Sequence, residues 1–129
     1  DSWLRALRDP SLSAALTAMH VVPEKDWTVP LLAEKACLSR SAFADRFRKV
    51  MGQTPLAYLT DHRMRLARWQ LGHTKLPVFS IAEAVGYGSD TAFSQAFKRA
   101  VGKTPSEYRR EQTLRAGSDA GAESSDAGN

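Results

Sequence analysis

The sequence predicts an all-α protein in which a long helix joins two helix-turn-helix units, giving about seven helices in a homeodomain-like arrangement. Apolar residues recur every three or four positions along most of the chain, and no segment alternates between apolar and polar residues as a strand would. Residues 43–55 reappear in nearly the same form at 93–105, which indicates one supersecondary unit used twice.

The repeated segment has a fixed frame of apolar, basic and turn residues. Phe43 and Phe47 correspond to Phe93 and Phe97, and in both copies a basic pair and the sequence Gly-x-Thr-Pro follow. Two phenylalanines four positions apart lie on one face of a helix, so we expect both pairs to be buried. The basic residues beside them then lie on a surface suited to a polyanion.

Composition restricts the function classes. The 129 residues suffice for one domain or two small ones, and no apolar run is long enough for a membrane span. Cys37 is the only cysteine, which excludes an internal disulfide and fits a reducing, cytoplasmic location. Residues 1–115 hold all 18 Lys and Arg against 11 of the 14 acids, a net charge of +7, whereas residues 116–129 hold three acids and no base. A basic body of this size is typical of proteins that bind nucleic acid.

Cap and turn residues delimit the first two helices. Asp9 is a suitable N-cap and Pro10 a suitable first helical residue, and Pro23 ends the apolar periodicity that follows them. Thr28 is the expected cap of a short second helix that ends at Ala36.

The third predicted helix is Arg40–Met51, with Ser39 as its N-cap and Gly52 as its left-handed end. Its expected buried face consists of Phe43, Phe47, Val50 and Met51. A long joining helix then begins at Pro55 and is expected to reach Leu71.

The second unit repeats this order with a longer turn. Ser80 is expected to cap a short helix, Ile81–Val85, and Ser89 to cap a longer one, Asp90–Val101. The turn at 86–88 has one residue more than its counterpart. The expected buried face of the longer helix is Phe93, Ala96, Phe97 and Ala100, and a last helix runs from Pro105 to about Leu114.

Four segments follow from these elements. Residues 1–8 are expected to be the end of a linker from an absent N-terminal domain, and residues 9–71 form the first unit with the joining helix. Residues 72–115 form the second unit. Residues 116–129 have almost nothing to bury, so we expect a disordered acidic tail.

The exposed front of each longer helix is predicted to enter a DNA major groove, where arginine can donate to guanine, glutamine can pair with adenine and aspartate can accept from cytosine. The candidate base-contacting residues are Arg40, Ser41, Ala44, Asp45, Asp90, Thr91, Ser94 and Gln95. The candidate phosphate-contacting residues are Thr28, Arg48, Lys49, Ser80, Lys98, Arg99 and Lys103. Structural interpretations stay open for the two acids: Asp90 suits a helix N-terminus, and Asp45 can pair with Lys49 or Arg48.

The second copy resembles a known family. Residues 86–99, followed by Gly102, Pro105, Tyr108 and Arg109, are similar to the signature of AraC/XylS-type transcription regulators. The resemblance covers roughly residues 10–112, and the amino-terminal part is similar to the subgroup with a cupin sensor domain. It implies a C-terminal domain of two helix-turn-helix units that binds double-stranded DNA. By this similarity, Ser41, Ala44, Asp45, Thr91, Ser94 and Gln95 lie at the groove.

The resemblance also implies further partners, and this sequence departs from the family pattern at two places. It implies RNA polymerase as a further partner, a role as a bacterial activator, nucleoid association, and a parent protein that dimerises through an absent N-terminal domain. The family usually has glycine where Cys37 stands, so a left-handed turn here would strain the cysteine. Ala44 and Asp45 stand where longer donors are common.

Two other functions are weighed against DNA-dependent regulation. Similar modules are fused to alkylation-repair methyltransferases, for which Cys37 would have to be a reactive thiol; we expect instead a small buried side chain. A helical protein-interaction domain is the other alternative. No catalytic residue, metal site or cofactor is expected, since the three histidines have no metal-ligand spacing.

Overall fold

The structure, a computed structural model, describes the backbone of residues 2–127 and the side chains of residues 4–117. Within these residues the chain forms helices and no strands, as predicted from the periodicity. The helices are α1 (Ser2–Leu7), α2 (Pro10–Val21), α3 (Val29–Ala36), α4 (Arg40–Met51), α5 (Pro55–His73), α6 (Val78–Ala84), α7 (Asp90–Val101) and α8 (Pro105–Ala127).

The chain divides into two compact units. The first comprises Asp1–Arg63 with Ala84–Gly86, and the second comprises Met64–Glu83 with Tyr87–Asn129. The 19 residues of α5 contribute to both units, and this helix is about 28 Å long at 1.5 Å per residue.

In the first unit, α1 to α4 and the start of α5 enclose one apolar core. The core residues are Ala6, Leu12, Ala15, Leu16, Met19, Trp27, Leu32, Ala33, Ala36, Phe43, Phe47, Tyr58 and Leu59. Asp9 caps α2 by accepting from the backbone amides of Ser11 and Leu12, as the sequence predicted. Thr28 caps α3 in the same way through the amide of Leu31. Because the apolar residues recur three or four positions apart, each helix has one apolar face, and these faces pack together in the core.

In the second unit, most of the buried residues come from α5, α6 and α7. They include Met64, Ala67, Leu71, Ile81, Ala82, Phe93, Ala96 and Phe97. Arg109 of α8 fastens the end of α5, because its guanidinium donates to the carbonyl oxygens of Leu71 and Thr74 at 3.1 and 3.2 Å.

The structure corrects the predicted start of α6. The helix begins at Val78, so Ser80 lies inside it rather than at its cap. The cause is the carbonyl oxygen of Pro77, which accepts from the amides of Ser80 and Ile81 and so starts the helical hydrogen bonds earlier. The predicted burial of Ala100 is also wrong, because its position on α7 is exposed.

Both ends of the chain differ from the sequence expectation in their backbone. Residues 2–7, expected within a linker, form α1, and Ala6 is fully buried in the core of the first unit. Helix α8 continues to Ala127, beyond the end expected near Leu114. The side chains of residues 118–129 lie outside the described residues, and disorder of the acidic tail in solution stays a prediction.

Candidate nucleic-acid interface

The two longer helices, α4 and α7, are held from behind by the same arrangement of aromatic rings. Phe43 and Phe47 are fully buried, and their ring centroids lie 5.7 Å apart. Phe47 in turn meets Tyr58 edge to face at 5.8 Å. Tilted and edge-to-face rings at these distances are favourable because the ring edge is positive and the face negative.

The second unit repeats this arrangement almost unchanged. Phe93 and Phe97 are 5.7 Å apart, and Phe97 meets Tyr108 edge to face at 5.5 Å. Both phenylalanines are fully buried. The burial predicted for the duplicated phenylalanines is thus confirmed, and each longer helix turns its opposite side to solvent.

The termini of α4 and α7 are fixed by equivalent capping contacts. Ser39 accepts from the amide of Ala42 at 3.2 Å, and Ser89 accepts from the amide of Ala92 at 3.1 Å. Each helix ends at a left-handed glycine, Gly52 or Gly102. The boundaries predicted for both helices are confirmed.

Most candidate base-contacting residues lie on the exposed sides of these helices. Ala44 and Ser94 are half-buried at equivalent positions beside the phenylalanines. The exposed candidates are Arg40, Ser41 and Asp45 on α4, and Asp90, Thr91 and Gln95 on α7. The structure therefore brings together one polar set on each helix, and contact of these residues with bases stays a prediction.

Asp45 and Asp90 have different local surroundings. The Asp45 carboxylate pairs with the ammonium group of Lys49 one turn later, at 3.0 Å. Asp90 is the first residue of α7, directly after the Ser89 cap, where a negative charge is favoured by the helix dipole. The i,i+4 pair proposed from the sequence for Asp45 is confirmed.

The candidate phosphate-contacting residues fall into two groups. Arg48, Lys49, Lys98 and Arg99 are exposed in the last turns of α4 and α7, and Thr28 is exposed at the cap of α3. Lys103 differs because its ammonium group is ion-paired with the carboxylate of Glu111 on α8. Ser80 is half-buried within α6. These last two are the weakest candidates for a phosphate contact.

Arg46 is a basic residue beside this surface that the sequence analysis did not single out. Its Nε donates to Oδ2 of Asp9 at 2.5 Å, so one carboxylate both caps α2 and holds a side chain of α4. Partial burial raises the pKa of Asp9, but the hydrogen bond from Arg46 and the amides of Leu12 and Ser11 bring it below its ordinary value of 3.8. Asp9 and Arg46 are 37 positions apart, so no local sequence pattern could predict this pair.

The turns before α4 and α7 have the same hydrogen bond but different residues. The amide of Leu38 donates to the carbonyl of Ala33 at 3.0 Å, and that of Tyr87 to Ala82 at 2.9 Å. This closure needs a left-handed residue, which is Cys37 at φ 57° in the first turn and Gly86 at φ 97° in the second. The left-handed conformation on which the predicted strain at Cys37 depends is present, whereas its predicted burial is wrong because the cysteine is exposed.

The histidines are packing residues. His20 stacks on His62 with ring centroids 4.1 Å apart, and its Nε2 lies 2.8 Å from the hydroxyl of Tyr58. His73 stacks on the exposed Trp69 at 4.7 Å. Across the described side chains, no group of three or more His, Cys, Asp or Glu could hold a metal ion. In the same part of the chain, no helix combines the length and apolarity that a membrane crossing requires.

Comparison with known proteins places this architecture. A family described as a helix-turn-helix domain matches residues 32–111, which contain both copies of the repeated segment, 43–55 and 93–105. A putative AraC-like transcription regulator of Streptomyces lividans is 47% identical over 112 residues, covering 87% of this chain and 37% of that protein. The chain belongs to the AraC-type helix-turn-helix family. The resemblance seen in residues 86–109 is thereby confirmed.

Other AraC-type and regulatory proteins agree with this membership. The HTH-type transcriptional regulator AlkR of Acinetobacter baylyi is 53% identical over 110 residues, covering 85% of this chain and 36% of AlkR. The DNA-binding domain of AdpA, a global transcriptional factor solved in complex with a target DNA, has a TM-score of 0.77 at 31% identity, covering 83% of this chain and 96% of that one. The chain spans little more than a third of the length of the curated relatives. The family is one of DNA-binding regulator domains and not of enzymes.

Proposed function

We propose that this AraC-type domain binds double-stranded DNA in a sequence-specific manner and thereby regulates the initiation of transcription. The observation that carries the proposal is the duplicated recognition helix. In α4 and α7 a buried phenylalanine pair fixes the back, a serine fixes the start, and polar and basic side chains occupy the exposed front. A helix held in this way can enter a major groove without losing its packing.

The two kinds of exposed residue have separate roles in this mechanism. Arg48, Lys49, Lys98 and Arg99 contact phosphates, release counterions and supply most of the affinity. Arg40 and Gln95 donate hydrogen bonds to base edges, with guanine suited to the arginine and adenine to the glutamine. The remaining base-contacting candidates are Ser41, Ala44, Asp45, Asp90, Thr91 and Ser94.

The finer features of the function belong to the same proposal. One domain would contact two blocks of sequence about 10 bp apart, since successive major grooves on one side of B-DNA recur once per helical turn. RNA polymerase as a partner, a dimeric parent protein and association with the nucleoid are further proposals, and the resemblance to the family supports each of them.

In-vitro selection from a random duplex library at about 100 mM salt tests the proposal, because non-specific phosphate binding is already weakened there. Two enriched blocks about one helical turn apart are expected. A single block would show that one unit alone determines the sequence preference. Weak binding that vanishes with added salt, without enrichment, would overturn sequence-specific recognition and favour the protein-interaction alternative.

A further inference from the structure

The exposed face of α4 contains an acid where α7 contains a neutral amide. Asp45 and Lys49 of the first unit correspond to Gln95 and Arg99 of the second, at the same positions of the repeat. The Asp45 carboxylate lies 3.0 Å from the Lys49 ammonium group, and the two side chains are 66% and 75% exposed. The pair is therefore largely exposed to solvent, on the surface that the proposed function assigns to DNA.

This pair changes how α4 meets a phosphate backbone. A free lysine at the end of a recognition helix releases about one counterion when it neutralises a phosphate. While Lys49 neutralises Asp45, it contributes little of that gain, and the carboxylate itself repels phosphate. Exposed ion pairs are weak, typically below about 1 kcal/mol, so the pair can open when a better partner reaches the carboxylate.

A cytosine in the major groove is such a partner. Its N4 amino group donates a hydrogen bond that a carboxylate accepts. Guanine and thymine present no amino group in the major groove, and the amino group of adenine lies beside the N7 acceptor, which repels a carboxylate. On DNA with cytosine at this position, Asp45 gains a donor and Lys49 is released to a phosphate. On other DNA, the carboxylate stays unsatisfied or keeps the lysine.

We propose that Asp45 is a specificity-determining residue that acts mainly by weakening the binding of non-cognate DNA, because its ion pair with Lys49 keeps that lysine from a phosphate. This inference rests on the proposed function and extends it. It assigns the first unit a preference for a cytosine-containing block and makes Lys49 a conditional phosphate contact. Gln95 in the second unit exerts no such penalty because its amide is neutral.

The test is a double-mutant cycle of Asp45→Asn and Lys49→Gln, measured on DNA binding against salt concentration. Asparagine keeps the shape of the side chain and removes its charge. We expect D45N to tighten binding to non-specific duplex and to steepen its logarithmic salt dependence by about one unit, because Lys49 is freed. The double variant should return the slope to that of the wild type, whereas K49Q alone should change it little.

Base preference provides a second readout. In a repeated selection, D45N should lose the preference for cytosine at one position of the first block by about tenfold and leave the second block unchanged. Asp61→Asn is the matched control, since it removes the same charge from an exposed residue of α5 outside both recognition helices. It should leave the base preference of both blocks unchanged.

The outcomes separate this inference from the proposed function. A wild-type domain that selects no sequence overturns the proposed function itself. A domain that selects a site, with D45N leaving the non-specific salt slope as it was, overturns the role of Asp45 alone. The role is likewise overturned if the double variant keeps the steeper slope of D45N, or if the cytosine preference survives in D45N.

Discussion

The turn before α4 contains Cys37, and the turn before α7 contains Gly86. Both residues are left-handed, and both turns close with the same hydrogen bond, yet their surroundings differ. A Cβ at Gly86 would lie 2.8 Å from Nη2 of Arg63, whereas the Cys37 side chain extends into solvent. The same Arg63 donates to the carbonyl oxygens of Pro23 and Lys25. A side chain at position 86 would therefore have to displace the Arg63 guanidinium as well as adopt a strained φ, whereas at the first turn only the backbone conformation resists a side chain.

The largest expected effect tests whether the two recognition helices are held equally. Phe47→Ala and Phe97→Ala should each lower the free energy of unfolding of their own unit by about 3–5 kcal/mol, because each removes a fully buried ring and leaves a cavity. Urea unfolding followed by tryptophan fluorescence and circular dichroism measures this. Phe79→Ala, at a 58% exposed position, is the control and should change stability little. A large difference between the F47A and F97A costs would show that the matching ring distances hide unequal packing.

The second effect separates sequence preference from affinity on α7. Gln95→Ala should lower the preference for the selected base over other bases by about tenfold at one position of one block, since a bidentate base contact is worth about 1–3 kcal/mol. Lys98→Ala should weaken all sequences alike and lower the salt slope by about one unit. Fluorescence anisotropy with selected and scrambled duplexes at several salt concentrations measures both. Equal losses on both duplexes for Q95A would contradict its assignment as a base contact.

Exchanging the turn residues sharpens the comparison between the units. Gly86→Ala should cost about 2 kcal/mol, because a left-handed alanine is strained and Arg63 must move. Cys37→Gly should instead stabilise the fold by about 0.5 kcal/mol, because the relieved backbone strain exceeds the added chain entropy of glycine in the unfolded state. Thermal and urea unfolding of both variants measure these changes. Destabilisation by C37G would mean that the cysteine side chain makes a favourable contact that outweighs its backbone strain.

A smaller effect than that of G86A is expected at the Asp9 carboxylate, which joins α2 to α4 through Arg46. Asp9→Ala should cost about 1 kcal/mol through loss of the N-cap, and Asp9→Asn should keep the cap and lose only the charge. Because the folded pKa of Asp9 lies below 3.8, its charge stabilises the fold above that pH, and this contribution is lost as the pH falls through the folded pKa. The stability difference between wild type and D9N should thus shrink in acid. A difference independent of pH between 2 and 7 would argue against the Arg46 contact.

The recognition helices were predictable because their determinants are local. The serine caps, the terminal glycines and the phenylalanine spacing of α4 and α7 lie within a few residues of the helices they define, so both boundaries were predicted correctly. The start of α6 was not, because a backbone carbonyl at Pro77 served as the cap in place of the Ser80 side chain that a pattern can identify.

Local sequence patterns were therefore enough to predict the helical class, the duplicated unit, the buried aromatic faces and the family. The folded structure was needed to reveal the ion pairs that span more than one helical turn, which are Asp9 with Arg46 and Lys103 with Glu111. It also decided that Gly86 faces Arg63 while Cys37 faces solvent. The reason is distance along the chain. Caps and periodicity act within one or two helical turns, whereas these contacts join side chains that the folded backbone brings together.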